Sequence, residues 1–561
     1  MLLLQFAIDT SRLARLIQRI AVTVLFREGT SCVFAVVERT MNNQKRLFVA
    51  CIFSIVATSF GFIVRALLLN ALGEHFNLSE TQKGAIQGVG LFPFALSIIF
   101  FSLIVDKIGY GRAMAIAWVG HVVSAIITIT AHSYSQLYLG TFIFALANGT
   151  VEAVANPVVA TLYPKSKTHH LNILHSGWPL GLVLGGVLVV AMSGLDGPNA
   201  WRLKIGLFLL PTLVYGFLIW GVKFPVNERV AAGVSYTDML KEFGFAGCFI
   251  VSFFAAMALD EILRVFGMDL GPMWVKAAIA LVPTAIFAAK IRSFGRPMFV
   301  FLLLVMVLLS TTELGTDSWV AALMTPILKN FSSNAGNWVL IYTSAIMFVM
   351  RSCAGPIVHK FSPLGLLCIC SAVASAGLFW ISAAGAVPIM IFLAATLYGL
   401  GKSFFWPTTL GVVSEQFPKG GALTINAIGG IGMISVGVLG APLLGTIQDK
   451  YLDSHLNQQN PALHARVVGE PQSKFGFTFQ PLDNAKVDAL LAAEKAEVEK
   501  VRAENNQATL AKQAVLPAIM FVCFLALVLY FRSKGGYKQV DIGSGKEGEK
   551  LGGDIKAPVE A

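Results

Sequence analysis

The chain has 561 residues, of which 56% are hydrophobic and 13% are charged, and its formal net charge is +11. A soluble domain carries about 25% charged residues, so the composition excludes an ordinary soluble globular protein. The basic residues lie between apolar runs rather than in one patch, which excludes a nucleic-acid-binding surface as the origin of the positive charge.

Apolar runs long enough to cross a bilayer as helices recur along the chain. They predict spans at 47–72, 84–105, 113–132, 137–163, 171–194, 203–223, 243–260, 273–291, 298–323, 338–358, 363–384, 386–414, 422–447 and 514–532. The sequence therefore predicts an all-α polytopic membrane protein with about fourteen transmembrane helices.

Charges in the loops between these runs assign one side of the bundle to the cytoplasm. That side carries Asp106-Lys107, Arg112, Lys165, Lys167, Lys223, Arg229, Lys290, Arg292, Arg296, His359-Lys360, Lys419, Arg532 and Lys534. An even number of spans places both termini in the cytoplasm of a cell-membrane protein. The two runs between 243 and 291 cross the membrane outward and back, so they leave the orientation of the helices that follow unchanged.

Two polar segments follow late in the chain. Residues 448–512 fall on the outer side, and their stretch AKVDALLAAEKAEVEKVRAE is rich in Ala, Glu and Lys, which predicts a helix. Residues 533–561 are rich in Gly, Lys and Glu and are expected to form a disordered cytoplasmic tail.

The N-terminal extension, residues 1–46, allows two interpretations. Arg12, Arg15 and Arg19 lie at helical spacing, and no small-residue cleavage site follows them, so the segment is expected to be an interfacial helix rather than a signal peptide. Alternatively, Met41 is the natural start and the first forty residues are not native.

Two stretches, GTVEAVANPVVATLYP at 149–164 and GKSFFWPTTLGVVSEQFPKG at 401–420, resemble each other. In each, an ionisable residue precedes a proline by five positions. The matching pairs are Glu152 with Lys402, Asn156 with Trp406, Pro157 with Pro407, Pro164-Lys165 with Pro418-Lys419, and Asn172 with Asn426. These matches indicate an internal duplication, which many transporters have.

The duplication divides the chain into two halves. Six helices at 47–223 and six at 298–532 flank a connection at 224–297, which holds the two extra helices at the periphery. The pair carries Asp260, Glu261 and Arg264 near its outer turn, which predicts a solvated hairpin tip.

A family resemblance becomes specific at two motifs. The stretch SLIVDKIGYGR, with Asp106, Lys107, Gly109 and Arg112, resembles the loop between the second and third helices of the major facilitator superfamily, although Ser102 replaces the usual Gly. The resemblance implies a major-facilitator fold, with this loop as a cytoplasmic gate.

The second motif comprises Glu152, Asn156-Pro157, Asn172 and His175, and it is similar to the fourth and fifth helices of the fucose/glucose/galactose:proton symporter family. This resemblance implies a proton-linked Glu152 and a sugar-facing Asn156-Pro157 helix. Arg65 departs from it, because those symporters tend to have an acidic or amide residue in the first helix.

Six ionisable side chains lie inside predicted spans, where each costs about 3 kcal/mol at the helix centre. They are Arg65, Glu152, Glu313, Asp317, Arg351 and Lys402. Their signs are mixed, so pairing across the bundle is expected. They are interpreted either as structural salt bridges or gate latches, or as groups that face a cavity.

The first repeat contains the residue types that proton-coupled sugar transport requires. Pro157 and Pro407 are predicted to break their helices where these line a cavity. Asn156 offers two donors and an acceptor to a hydroxyl, and Glu152 lies one turn earlier on the same face. A carboxylate in a partly dry cavity can exchange a proton near neutral pH. Glu152 is the predicted proton-coupling group, with Glu313 and Asp317 as alternates.

Further candidates for the substrate site are aromatic or cationic. Trp178, Trp319 and Trp406 could stack on sugar rings or serve as ordinary packing. His175 could relay protons or cap a loop. Arg65 and Lys402 could hold a carboxylate, and Arg65 also looks like the arginine of major-facilitator organic-anion symporters.

The sequence therefore predicts a monomeric secondary active transporter in the lipid bilayer, coupling protons to sugar uptake by alternating access. A sugar acid or other organic anion is the alternative substrate, and a transporter-fold sensor is the second alternative. Carboxylates available to neutralise the buried cations favour a neutral sugar. No phosphate-binding loop, nucleophile elbow or metal-ligand spacing occurs, so neither an enzyme nor a cofactor is expected.

Overall fold

The structure is a computed structural model that describes residues 42–542, apart from 77, 79–85, 87, 193, 196, 198, 266–267, 329–330, 332–334 and 475–476. The predicted interfacial helix with Arg12, Arg15 and Arg19 lies outside the described residues. So do the alternative start at Met41 and residues 543–561 of the predicted disordered tail. Residues 533–542 of that tail are described and make hydrogen bonds to the bundle, so the prediction of disorder is wrong for them.

The first half is built entirely from helices. They are α1 (Asn43–His75), α2 (Phe92–Ile108), α3 (Tyr110–Ile129), α4 (Tyr134–Leu162), α5 (Lys167–Leu174), α6 (Gly177–Ala191), α7 (Ala200–Gly206) and α8 (Leu209–Ile219). The pairs α5–α6 and α7–α8 each form one interrupted span, so this half has six spans.

A connecting segment with α9 (Glu228–Ala231) leads to the extra pair, α10 (Tyr236–Val265) and α11 (Met273–Ile291). These two helices pack on each other, and α10 also contacts the second half. Most of α11 is exposed outside its contact with α10.

The predicted solvated tip of this pair is wrong for Asp260. Its side chain is buried, with Oδ2 at 3.1 Å from Nζ of Lys276, and Oδ1 accepts a hydrogen bond from Leu270 N. Antiparallel packing brings Lys276, near the start of α11, opposite the end of α10. Two opposite charges near a helical hairpin turn can therefore pair with each other between the two helices instead of facing water.

The second half repeats the six-span arrangement, with irregular turns inside several spans. It contains α12 (Pro297–Ser310), a π-helix (Thr311–Gly315), α13 (Thr316–Ile327), α14 (Ala335–Ser352), α15 (Ala354–Lys360), α16 (Pro363–Ala383), α17 (Pro388–Lys402), α18 (Phe405–Gln416), a 3₁₀ turn (Pro418–Gly420), α19 (Gly421–Ser435), a second π-helix (Val436–Gly440) and α20 (Ala441–Gln459). The last span, α24 (Val515–Ser533), follows an insertion.

The insertion is a small folded unit. It contains α21 (Pro461–Val467), an antiparallel hairpin of β1 (Gln472–Lys474) and β2 (Phe477–Phe479), α22 (Asn484–Asp488) and α23 (Ala492–Gln513). The stretch predicted to be helical, residues 485–504, is divided between α22 and α23 by a break at 489–491. Leu456 and Val467 are fully buried in a separate apolar cluster that α23 completes through Val498.

Twelve helices of the described chain are long and apolar enough to cross a membrane. Helices α2 and α14 lie at two further predicted spans. The halves meet where α2 and α4 pack on α19, α5 packs on α18, and α6 packs on α14. One continuous apolar core runs through both halves. The predicted all-α fold of two six-helix halves with an extra pair is confirmed.

Candidate functional site

A connected cluster of buried polar side chains lies between α4 and the junction of α5 and α6. Nδ2 of Asn156 donates to Oε2 of Glu152 at 2.7 Å, and Nε2 of His175 lies 2.9 Å from Oδ1 of the same amide. His175 Nε2 also lies 4.0 Å from Oε2 of Glu152. The three side chains are 2–5% exposed, so the structure unites three of the sequence-predicted residues.

Glu152 differs in its partners from Glu313 and Asp317, the other two acids predicted for proton coupling. Within the described residues, its carboxylate lies near an amide and an imidazole but pairs with no Lys or Arg. Glu313 and Asp317, by contrast, each pair with a cation. Glu152 is therefore the carboxylate in this region whose charge no fixed positive side chain compensates.

The helix around Pro157 continues instead of breaking. Helix α4 runs from Tyr134 to Leu162 with the proline inside it, so the predicted break is wrong here. Proline has no N–H for the carbonyl of Ala153, four residues earlier. Asn426, from the second half, donates to that carbonyl through Nδ2 at 3.0 Å, which compensates the lost helical bond at this depth.

The helix around Pro407 is interrupted, as predicted. Helix α17 ends at Lys402 and α18 begins at Phe405. Pro407 cannot bond the carbonyl of Ser403, and Arg351 Nε donates to that oxygen at 2.5 Å. In both repeats, the carbonyl that a proline cannot bond accepts a side-chain donor from another helix.

Arg351 connects the second half to the first. Besides Ser403, its guanidinium donates to Oε1 of Glu313 at 2.7 Å and to the carbonyl of His175 at 3.1 Å. Arg351 and Glu313 are each 1% exposed, so the pair is fully desolvated. Glu313 lies in the first π-helix, an irregularity that is frequent at functional sites.

Lys402 is neutralised within its own half. Its ammonium donates to Asp317 and lies 5.1 Å from the ring centre of Tyr398. The Tyr398 hydroxyl donates to the carbonyl of Thr312 at 2.7 Å. The sequence singled out Lys402 and Asp317 but not Tyr398 or Thr312, which contact this ion pair.

Arg65 lies among residues of its own half and does not contact the Glu152 cluster. Its guanidinium carbon is 3.9 Å from the ring centre of Phe144 and 5.3 Å from that of Phe208, and Nη2 donates to Oγ of Ser124. Within the described chain it pairs with no carboxylate, and its buried Nε has no acceptor. The expectation that an internal acid neutralises Arg65 is therefore wrong.

The predicted aromatic residues are spread over the bundle. Trp406 is buried against Gly432, where an added Cβ would lie 2.6 Å from its ring. The Trp178 ring centre is 6.1 Å from that of Phe62, and Trp319 packs against Gly445. No described contact joins these three rings, so they do not form one stacking platform.

The predicted gate loop lies at the end of the bundle that carries the basic loop residues. We call this end the basic end. Gly109 separates α2 from α3 with φ of 88°, a conformation that favours glycine. Asp106 pairs with Arg229 at 2.6 Å, and Nζ of Lys107 lies 5.2 Å from the ring centre of Tyr236. Arg112 is exposed. The loop thus binds the segment that connects the two halves.

Contacts between the halves close this same end. Lys167 Nζ donates to the carbonyl of Ser414 at 3.2 Å, and both the N–H and the hydroxyl of Thr168 donate to Oε1 of Glu415. Asn172 Nδ2 donates to Oγ1 of Thr408 at 3.1 Å. We call this surface the basic-end seal.

Sequence reasoning missed most of the seal. The repeat-related Asn172 and Asn426 both donate across the halves, and each leaves its buried Oδ1 without a partner in the described chain. In the sequence, each of these asparagines follows a Pro-Lys pair at the same interval, and this was the pattern that could have indicated a shared role. Thr168 and Glu415 carried no signal, because a Thr–Glu contact depends on how the halves approach.

The described residues contain no group of three or more His, Cys, Asp or Glu side chains placed to hold a metal ion. The Glu152, Asn156 and His175 side chains supply a carboxyl group, an amide and an imidazole, which are groups that donate and accept hydrogen bonds.

Comparison with known proteins matches residues 48–442 to the family described as the Major Facilitator Superfamily. The chain is 27% identical over 160 residues to Myo-inositol transporter 1 of Saccharomyces cerevisiae, covering 28% of this chain and 26% of that protein. It is 24% identical over 183 residues to the gentisate transporter of Corynebacterium glutamicum, covering 32% and 40%. The matched segments thus span less than half the length of these relatives.

The fold is similar to that of the proton:xylose symporter XylE bound to 6-bromo-6-deoxy-D-glucose. The TM-score is 0.58 at 14% identity, over 86% of this chain and 96% of that one. This likeness concerns the fold alone.

Proposed function

The chain belongs to the Major Facilitator Superfamily, and from that premise we propose that it is a secondary transporter coupling proton movement to uptake of a neutral sugar by alternating access. The observation that carries this proposal is the buried Glu152, bonded to Asn156 and close to His175 but without a Lys or Arg partner in the described chain. A carboxylate in such surroundings can be neutralised by a proton from solvent.

Protonation of Glu152 changes what Asn156 can do. The ionised carboxylate only accepts hydrogen bonds, and it accepts one from Asn156 Nδ2. A proton on Oε2 would place two donors opposite each other, so the amide must turn or release its bond. The released amide presents a donor and an acceptor to a substrate hydroxyl. Proton binding and sugar binding at these neighbouring side chains then favour each other.

The same change reaches the contact between the halves. His175 bonds the Asn156 amide through its side chain and Arg351 through its carbonyl. Movement of Asn156 therefore alters the position of a residue that the second half binds. This chain of contacts provides a physical route from protonation to rearrangement of the halves.

A neutral substrate is favoured by the charges of the second half. Glu313 neutralises Arg351, and Asp317 neutralises Lys402. A substrate carboxylate near either cation would have to displace an acid that is already bound in the protein. Neutral polyols form hydrogen bonds without that competition.

An organic acid is the second candidate, and Arg65 is the observation that favours it. Its guanidinium pairs with no described carboxylate and keeps a buried Nε without an acceptor. A gentisate transporter is also among the relatives that the chain resembles. Arg65 nevertheless packs between Phe144 and Phe208, away from the Glu152 cluster.

The test is uptake into liposomes containing the purified protein, with neutral sugars and their uronic and sialic acid counterparts as substrates. An acidic outside should drive accumulation of a neutral sugar, and a protonophore should abolish it. Uptake of the acids alone, lost in Arg65→Gln, would overturn the neutral-sugar proposal. Saturable binding with no accumulation of any compound would indicate a sensor instead.

A further inference from the structure

The chain turns sharply after its last membrane helix. Gly535 and Gly536 both adopt positive φ, of 88° and 98°, which favours glycine, and Gly536 N donates to the carbonyl of Phe531 at 2.8 Å. This turn directs residues 537–540 back across the basic end of the bundle. We call these four residues the strap.

The strap is bonded to the end of α18. Tyr537 donates its hydroxyl to Oε2 of Glu415 at 2.8 Å, and Val540 N donates to the Glu415 carbonyl at 2.9 Å. Gln416 Nε2 donates to the carbonyl of Lys538 at 2.8 Å. Three hydrogen bonds within four residues hold the strap on the second half.

The strap also reaches the first half. Gln539 Nε2 donates to the carbonyl of Pro164, directly after α4, at 2.7 Å. The four residues therefore cross the boundary between the halves at the basic-end seal.

Glu415 links the strap to the seal through its two carboxylate oxygens. Oε1 accepts from Thr168 of the first half, while Oε2 accepts from Tyr537. Burial, together with the Glu415 charge, holds the pKa of Tyr537 well above its usual range. The hydroxyl thus stays protonated as the donor that orients this carboxylate toward Thr168.

We propose that the strap is an autoinhibitory latch that holds the basic end of the transporter closed. Opening that end separates Thr168 from Glu415 and Pro164 from Gln539, so the strap must yield before the halves part there. It stabilises the closed arrangement and slows opening toward the side that the sequence assigns to the cytoplasm.

The test is a distance measurement across the basic end of the full-length chain. Spin labels on cysteines replacing Lys223 and Lys360, two exposed residues in different halves, report the separation in a background without the native cysteines. Tyr537→Phe keeps the ring and removes the donor, and Gln539→Ala removes the contact with the first half. Tyr530→Phe, on the exposed side of α24, is the matched control.

Each strap variant should shift the distance distribution toward the longer, open separation, while Tyr530→Phe leaves it unchanged. For Tyr537→Phe, loss of a hydrogen bond to a charged group predicts roughly a tenfold change in the ratio of the two populations. A chain ending at Gly536 should shift further. Unchanged distributions in both point variants would overturn the latch, even if the shortened chain fails to fold. The measurement needs no substrate, so its outcome is independent of the proposed transport activity.

Discussion

The side-chain amide of Asn426 donates a hydrogen bond of 3.0 Å to the carbonyl oxygen of Ala153 in the other half. That oxygen is the one that Pro157 cannot bond within its own helix. A local feature of the first repeat, a proline inside a buried helix, therefore becomes an attachment point for the second. The duplicated chain uses this contact to hold its halves together beside the Glu152 cluster.

Asn426→Ala is expected to weaken the contact between the halves. The variant leaves the Ala153 carbonyl buried without this donor, which costs about 1–3 kcal/mol. The thermal unfolding temperature in detergent should fall, and spin labels at positions 223 and 360 should show more of the open separation. Ser382→Ala, near the end of α16, is a control that should change neither measurement, because the Ser382 hydroxyl donates to the Phe379 carbonyl of its own helix. An unaltered unfolding temperature and distance distribution in Asn426→Ala would show that the contact carries no stability.

Replacing Arg351 alone is expected to lower the stability of the protein more than replacing Arg351 and Glu313 together. Removing one partner of a buried ion pair leaves an uncompensated charge and costs about 3–5 kcal/mol, whereas removing both charges can be nearly neutral. Arg351→Gln should therefore unfold at a lower temperature than the double variant Arg351→Gln, Glu313→Gln. The comparison requires thermal unfolding of the single and double variants in the same detergent. Equal losses in the two would contradict a tightly coupled pair.

The composition and hydropathy pattern sufficed to predict the membrane helices, because such helices need long apolar runs whatever they pack against. The arrangement in two halves was predicted from the internal repeat and the family resemblance. The contacts of the candidate site were harder to predict than the membrane helices. Glu152, Asn156 and His175 share a short stretch of chain, and their spacing predicts that they meet. The seal contacts of Thr168 and Glu415 join residues far apart in sequence, and no local pattern encodes how two halves approach.

The predictions for two charged residues were wrong because their partners lie elsewhere in the sequence. Asp260 looks solvated beside a predicted turn, but Lys276 on the antiparallel helix pairs with it inside the protein. Arg65 looks as if it needs an acid, but the rings of Phe144 and Phe208 lie over its guanidinium instead. A sequence shows that a buried charge needs compensation without showing which group provides it.

The orientation of the bundle is open to a labelling test. Loop charges predict that the basic end lies in the cytoplasm and the turn after α10 outside. A cysteine replacing the exposed Asp269, in a background without native cysteines, should react with an impermeant maleimide on intact cells. A cysteine replacing Lys534, after the last helix, should react only after permeabilisation. The reverse pattern would invert the assigned orientation.

We propose that Glu152 carries the coupling proton, and uptake by Glu152→Gln in liposomes tests this role. The amide cannot ionise but keeps the size of the carboxyl group. We expect Glu152→Gln to lose accumulation driven by a pH gradient while retaining counterflow exchange of the same substrate, which needs no net proton movement. Asp488→Asn, which removes an exposed charge in the insertion, should keep both activities. Full concentrative uptake by Glu152→Gln with an acidic outside would contradict the assignment.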